Sequence, residues 1–141
     1  VLEWYGGPVI QQALKLVGYE VTDAKKRPEI PQSVQFSELT FLKSPFVYSR
    51  EHKVWLAPLP KKDIYKELKY APKQVIGDEL DLRQRVSVTT RFMAHHGHDA
   101  YVQFKTELFE VGIPSSWLTK TFDQHMIEIS DKQNDFCFTD V

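Results

Sequence analysis

The stretch Leu39-Thr40-Phe41-Leu42-Lys43-Ser44-Pro45-Phe46-Val47-Tyr48, with Val54-Trp55-Leu56-Ala57 following it, decides the fold class. Leu39 to Lys43 is short and rich in residues that suit a pleated surface, which predicts a strand. Ser44-Pro45 interrupts it, since proline has no N–H to offer a ladder. Phe46-Val47-Tyr48 and Val54-Trp55-Leu56-Ala57 then flank the polar segment from Ser49 to Lys53, a pattern that predicts a β-hairpin.

Helical patterns lie on both sides. Toward the N-terminus, Pro8 stands where a helix can begin, and Val9, Ile10, Ala13, Leu14 and Val17 recur at helical spacing up to Gly18. An amphipathic helix is expected from Pro8 to Val17, with Gly18 at its C-cap. Tyr19-Glu20-Val21-Thr22 alternates like a short strand, and Asp23-Ala24-Lys25-Lys26-Arg27 reads as a polar turn before Pro28 and Pro31.

Beyond Pro58 and Pro60 the pattern becomes helical. Ile64 and Leu68 predict a short helix, and Asp78-Glu79 opens a longer one that runs to about His95 and closes at Gly97. Asp99 is expected to cap a third, with Tyr101, Phe104 and Leu108 on one face. Pro114 and Ser115-Ser116 precede a last helical stretch through Trp117, Leu118, Phe122 and Met126. The expected architecture is α+β. Residues 1–58 supply a helix, short antiparallel strands and a hairpin, and residues 59–141 are mostly helical.

Bulk properties narrow the class. The chain has 141 residues, 42% hydrophobic, 13% aromatic and 26% charged, enough for an ordinary globular core. The net charge of −1 gives no support to a generally basic nucleic-acid binder, although a local patch can still supply the field. Cys137 is the single cysteine, so no internal disulfide can form. No apolar run approaches membrane-spanning length, and Val1 to Gly7 lack the features of a signal peptide. The chain opens without Met into an aromatic-rich stretch, as expected of a fragment. No phosphate-cradling glycine loop or nucleophile elbow occurs.

Two motifs then fall in a telling order. Ala13-Leu14-Lys15 through Gly18-Tyr19-Glu20-Val21-Thr22 to Lys26 resembles motif D of the RNA-dependent RNA polymerases of picorna-like positive-strand viruses. Leu39-Thr40-Phe41-Leu42-Lys43 resembles motif E of the same family. His95-His96-Gly97-His98-Asp99-Ala100-Tyr101-Val102-Gln103-Phe104 is similar to a pattern between its thumb helices, and Trp55-Leu56-Ala57-Pro58-Leu59 to the strand entering the thumb. The resemblance runs from about Pro8 to about Phe109. It departs where the family usually has Arg after Phe-Leu-Lys, because Ser44 and Pro45 stand there.

The resemblance implies that residues 1–58 are the end of a polymerase palm and residues 59–141 its thumb. The parent would be an RNA-directed RNA polymerase, a nucleotidyltransferase extending an RNA 3′ end on an RNA template. Its partners would be the template-primer duplex, nucleoside triphosphates, the remaining fingers and palm, and other viral replication proteins. The setting would be the host cytoplasm, in membrane-associated replication complexes. Mg²⁺ would be held by aspartates of motifs upstream of this chain, so no metal ligand is expected here and the fragment alone should be inactive.

Residue roles carry over in the same way. Lys26 would be the motif D lysine, supplying a proton or a cation to the leaving pyrophosphate; a one-residue slip would choose Lys25. Lys43 would contact primer-strand phosphates, while Arg83, Arg85 and Arg91 lie in the expected long thumb helix beside the duplex. Arg83 and Arg85 are two apart and cannot share one narrow face.

Plainer readings stand beside these. Lys26 could be a solvated turn lysine, Lys43 an edge-strand charge, and the arginines a wet helix surface. The spacing of His95, His96 and His98 does not match a helical zinc pair, so capping or packing is expected of them. Trp55, Trp117, Phe104 and Phe122 fit a core better than base-stacking platforms. The alternative function is a non-catalytic RNA- or protein-binding α+β module, and a third reading is a structural domain with chance motif matches.

Overall fold

The computed structural model describes residues 6–23, 25–70 and 77–136. Ala24 of the polar turn and Cys137 lie outside them. The fold is mixed α and β. In chain order the elements are helix α1 (Gly7–Leu16), strands β1 (Thr40–Phe41), β2 (Ser44–Pro45), β3 (Val47–Ser49) and β4 (Val54–Leu56), then helices α2 (Lys61–Lys69), α3 (Glu79–Ala94), α4 (His98–Glu110) and α5 (Phe122–Phe136). Strands β3 and β4 make one small antiparallel sheet. The chain divides into compact units of residues 1–41 and 42–141. The boundary expected near Pro58, where mixed α and β gives way to helices, lies between β4 and α2.

In the first unit, Pro8 sits in the first turn of α1, where a missing N–H costs nothing. The helix closes on Gly18 at φ 90°, with Gly18 N–H donating to Lys15 O and Tyr19 N–H to Leu14 O. This is a Schellman closure, which needs a left-handed residue at that point. The apolar stripe of α1 buries no residue, and Leu16 and Val17 are exposed. Tyr19 to Thr22 forms no strand. Instead, Gln11 Nε2 donates to Val21 O (2.8 Å) and Pro28 O (2.9 Å), so a side chain occupies carbonyls that a ladder would have used.

The second unit holds the core. The β3-β4 hairpin pairs antiparallel, with Val47 opposite Leu56 and Ser49 opposite Val54. Val54 and Leu56 point inward and join Ala94, Tyr101, Phe122 and Met126. A second cluster joins Ile64, Val86, Met93, Phe104, Leu108 and Leu118. Helices α3 and α4 feed both clusters, so together they are the spine of the unit. Asp78 caps α3 by accepting from the Leu80 and Asp81 N–H groups. Gly97 at φ 99° turns the chain from α3 into α4 and is itself the N-cap of α4. The sequence had pointed to Asp99 for that cap. It lies instead in the first turn, where a carboxylate still suits the helix dipole.

The last helical stretch is split. Ser115–Trp117 is a single 3-10 turn, and α5 begins only at Phe122. Phe104 and Phe122 are core residues, and Trp117 packs against the second cluster. Trp55 instead faces outward on β4 beside Tyr48, ring centroids 5.1 Å apart. Gln133 of α5 both donates to Trp55 O and accepts from Trp55 N–H, so one amide side chain completes the edge of β4.

Two histidines fasten the segment after β4. Ala57 N–H donates to Nδ1 of His95 at 3.1 Å, and Nε2 of His96 donates to Leu59 O at 2.6 Å. His95 must therefore be neutral, and burial, aided by neighbouring His96, holds its pKa below the ordinary value. Burial likewise depresses the pKa of His125. There Glu128 pulls upward, while Lys120, Arg91 and Lys105 push further down. With the folded-state pKa depressed, the unfolded chain binds the proton more readily. Stability is therefore full above the ordinary pKa of 6.5 and is lost as pH falls below it. Thermal melts from about pH 7.5 to about pH 5 should show a falling midpoint. The fall should be shallower in His125→Phe, which keeps a ring against Tyr101; an identical slope in the variant contradicts this assignment.

Candidate nucleic-acid interface

In the first unit, the chain between α1 and the 3-10 turn at Phe36–Glu38 is held by few, specific bonds. Asp23 accepts from the Arg27 backbone N–H (2.8 Å) and from Arg27 Nε (2.5 Å), and Lys26 N–H donates to Asp23 O. The backbone bond from Arg27, with its guanidinium, holds the Asp23 carboxyl below its usual range. This small ring of bonds drives Lys26 to φ 56° and leaves its side chain exposed. Lys25 is exposed beside it.

Lys43 is the second residue of the second unit. The sequence pattern placed it at the end of a strand. The chain turns earlier than that, with Leu42 at φ 49° and Lys43 at φ 70° between β1 and β2. Two consecutive left-handed residues make a tight turn that Asn-Gly would adopt with less strain. The Lys43 ammonium stands 3.6 Å from Asp63 Oδ2 in the first turn of α2, and that oxygen is buried without a hydrogen-bond donor. The ammonium itself remains largely exposed.

The three arginines of α3 part company. Arg85 is turned toward α2. Its Nη1 donates to Glu67 O (2.9 Å) and Tyr70 O (3.0 Å), its Nε pairs with Asp81 (2.6 Å), and Glu67 lies at 3.4 Å. Glu67 O belongs to the last turn of α2, whose carbonyls have no partner within the helix, so Arg85 caps α2 from outside. Arg83 and Arg91 are exposed, and neither makes an ion pair or a hydrogen bond with any described residue. At 100° per residue, Arg83, Ser87 and Arg91 fall along one stripe, and Arg85 lies nearly opposite.

The structure also gathers basic residues that sequence spacing did not connect. Lys105 on α4 and Lys120 before α5 stand with Arg91 in the electrostatic surroundings of His125. Lys105 Nζ lies 5.5 Å from the Tyr101 ring centroid and donates to Lys120 O. Lys120 is paired with Glu128, whose carboxyl is held below its usual range chiefly by that bond. No local periodicity could have linked these positions, because three helices and a connector bring them together.

The described residues contain no group of three His, Cys, Asp or Glu side chains able to hold a metal ion. His95 and His96 are occupied by backbone groups, and His98 packs edge-on to Phe122.

The chain is 26% identical over 113 residues, 80% of its length, to the replicase polyprotein of Cricket paralysis virus. It is 26% identical over 114 residues, 81% of its length, to the replicase polyprotein of Drosophila C virus. It spans about 6% of the length of each. No protein-family model matches the chain. The chain is thus similar to one stretch of viral replicase polyproteins.

The contrasting arginines make a prediction. Arg85→Ala removes an almost buried guanidinium and strands two carbonyls and Asp81, so it should cost about 2–3 kcal/mol. Arg83→Ala should stay within about 0.5 kcal/mol of wild type. Urea denaturation of the two variants measures both; equal effects would mean that Arg85 is not the cap of α2.

Proposed function

We propose that this chain is the end of the palm and most of the thumb of a viral RNA-dependent RNA polymerase, acting in replication of the viral genome. The observation that carries the reading is the ordered pair of motifs, Gly18-Tyr19 through Lys26 and Phe41-Leu42-Lys43. Similarity to a stretch of two replicase polyproteins supports a place in viral replication.

The backbone at these motifs supports the same reading. Four described non-glycine residues have positive φ, and Lys26, Leu42 and Lys43 are three of them. Such conformations cost on the order of 1–3 kcal/mol each and concentrate at functional sites. The uncovered apolar stripe of α1 fits a palm helix whose packing partners lie elsewhere in the enzyme.

In this reading Lys26, projected from its turn, stabilises the negative charge on the departing pyrophosphate or protonates it. Lys43 holds the primer backbone, and Arg83 and Arg91 grip the product duplex along its backbone without reading sequence. Arg85 acts through the fold alone, by holding α2. Divalent metal, Mg²⁺, would activate the primer hydroxyl and steady the triphosphate in the parent enzyme, held by aspartates of the upstream palm motifs. The partners would be the template-primer duplex, nucleoside triphosphates, the fingers and remaining palm, and other replication proteins, in membrane-associated complexes of the host cytoplasm.

Lys26→Leu in the complete polymerase should slow single-turnover nucleotide addition at least about tenfold while leaving primer-template affinity near wild type. Rapid-quench extension beside a binding titration tests this. An unchanged extension rate would remove Lys26 from the chemistry, and an equal loss of rate and affinity would reassign it to RNA holding.

A further inference from the structure

A small cavity opens where α3 and α4 meet the connector into α5, with a volume of about 170 Å³. Arg83 and Ser87 from α3, Ser116, Thr119 and Lys120 from the connector, and His125 from α5 line it, and no carboxylate does. The donors are largely unspent. Arg83 has no acceptor among the described residues, nor do the hydroxyls of Ser87, Ser116 and Thr119. Thr90 and Tyr101, also in the wall, already donate to Val86 O and Lys120 O. Lys120 is shared with Glu128, so Arg83 is the cation left for a ligand.

His125 supplies a second, independent observation. The residue is only 4% exposed, yet neither ring nitrogen has a hydrogen-bond partner. A neutral imidazole always carries one N–H, and a buried donor with nothing to receive it is costly. Its neighbours are the Tyr101 ring at 5.4 Å and the charges of Glu128, Lys120, Arg91 and Lys105. Three of those four charges are positive.

We propose that this cavity is a binding site for a single phosphate group, held by the Arg83 guanidinium and the Ser87, Ser116 and Thr119 hydroxyls. A guanidinium fork with several hydroxyl donors matches tetrahedral phosphate oxygens. The volume is below the roughly 300–1,000 Å³ of pockets that enclose whole drug-sized molecules, and suits one tetrahedral anion. The phosphate can belong to a free small phosphate ester or to an RNA backbone. The site shares Arg83 with the RNA grip proposed above but requires no polymerase chemistry, so phosphate binding tests it separately.

The test is a titration of the protein with inorganic phosphate, against chloride at equal ionic strength. The ring resonances of His125 and the indole N–H of Trp117, another wall residue, are followed by NMR. Saturable shifts with phosphate alone are expected. Affinity should fall about tenfold in Arg83→Gln, fall more modestly in Ser116→Ala, and stay unchanged in Lys66→Gln on α2. A short oligoribonucleotide then separates the sources. Displacement of phosphate assigns the site to RNA backbone, and simultaneous binding assigns it to a small free ester. Shifts that never saturate, that chloride reproduces, or that Arg83→Gln and Ser116→Ala both leave unaltered overturn the proposal. The phosphate titration itself uses no RNA and no nucleoside triphosphate, so its failure is distinct from failure of the polymerase reading.

Discussion

The guanidinium of Arg85 lies across the end of α2, donating to two of its terminal carbonyls while Asp81 and Glu67 balance its charge. That contact sets the rotation of α3. With Arg85 turned to α2, Val86, Thr89 and Met93 fall into the core, and Arg83, Ser87 and Arg91 fall on the opposite, solvent-facing stripe. Thr89 and Thr90 tolerate burial because their hydroxyls donate back to carbonyls of the preceding turn. The helix is thus built with a structural face and a basic face.

The basic face gains its chemistry from elements that arrive later in the chain. The connector between α4 and α5 brings hydroxyls against Arg83, and α5 brings His125. Glu128 restrains Lys120, which leaves Arg83 and Arg91 as cations without an ion pair among the described residues of that surface. A net charge of −1 over the whole chain conceals this local asymmetry.

Much of this was legible in the sequence. Helical periodicity and punctuation located α1, α2, α3 and α4 within a few residues, since each has an apolar stripe and a proline, Asp or Gly at an end. The hairpin at Val47–Ser49 and Val54–Leu56 was legible from alternation around a polar tip. Tyr19 to Thr22 also alternates, but four residues without a partner strand make no ladder, and Gln11 takes their carbonyl. Lys43 was placed on a strand because nothing in Phe41-Leu42-Lys43 announces a turn; glycine or asparagine would have. The parting of Arg83 from Arg85 followed from spacing alone. Which of the two would face α2 did not, because that depends on the unmet carbonyls of another helix. Lys105, Lys120 and His125 were invisible for the same reason, as their meeting is tertiary.

The central claim is that one face of α3 grips an RNA backbone while the other holds the fold. The salt dependence of duplex RNA binding tests it most directly. The slope of log affinity against log salt should lose about 0.9 for each phosphate contact removed, so Arg83→Gln with Arg91→Gln should flatten it by nearly two units. An unchanged slope in that double variant would contradict the claim and return both arginines to an ordinary solvated helix surface.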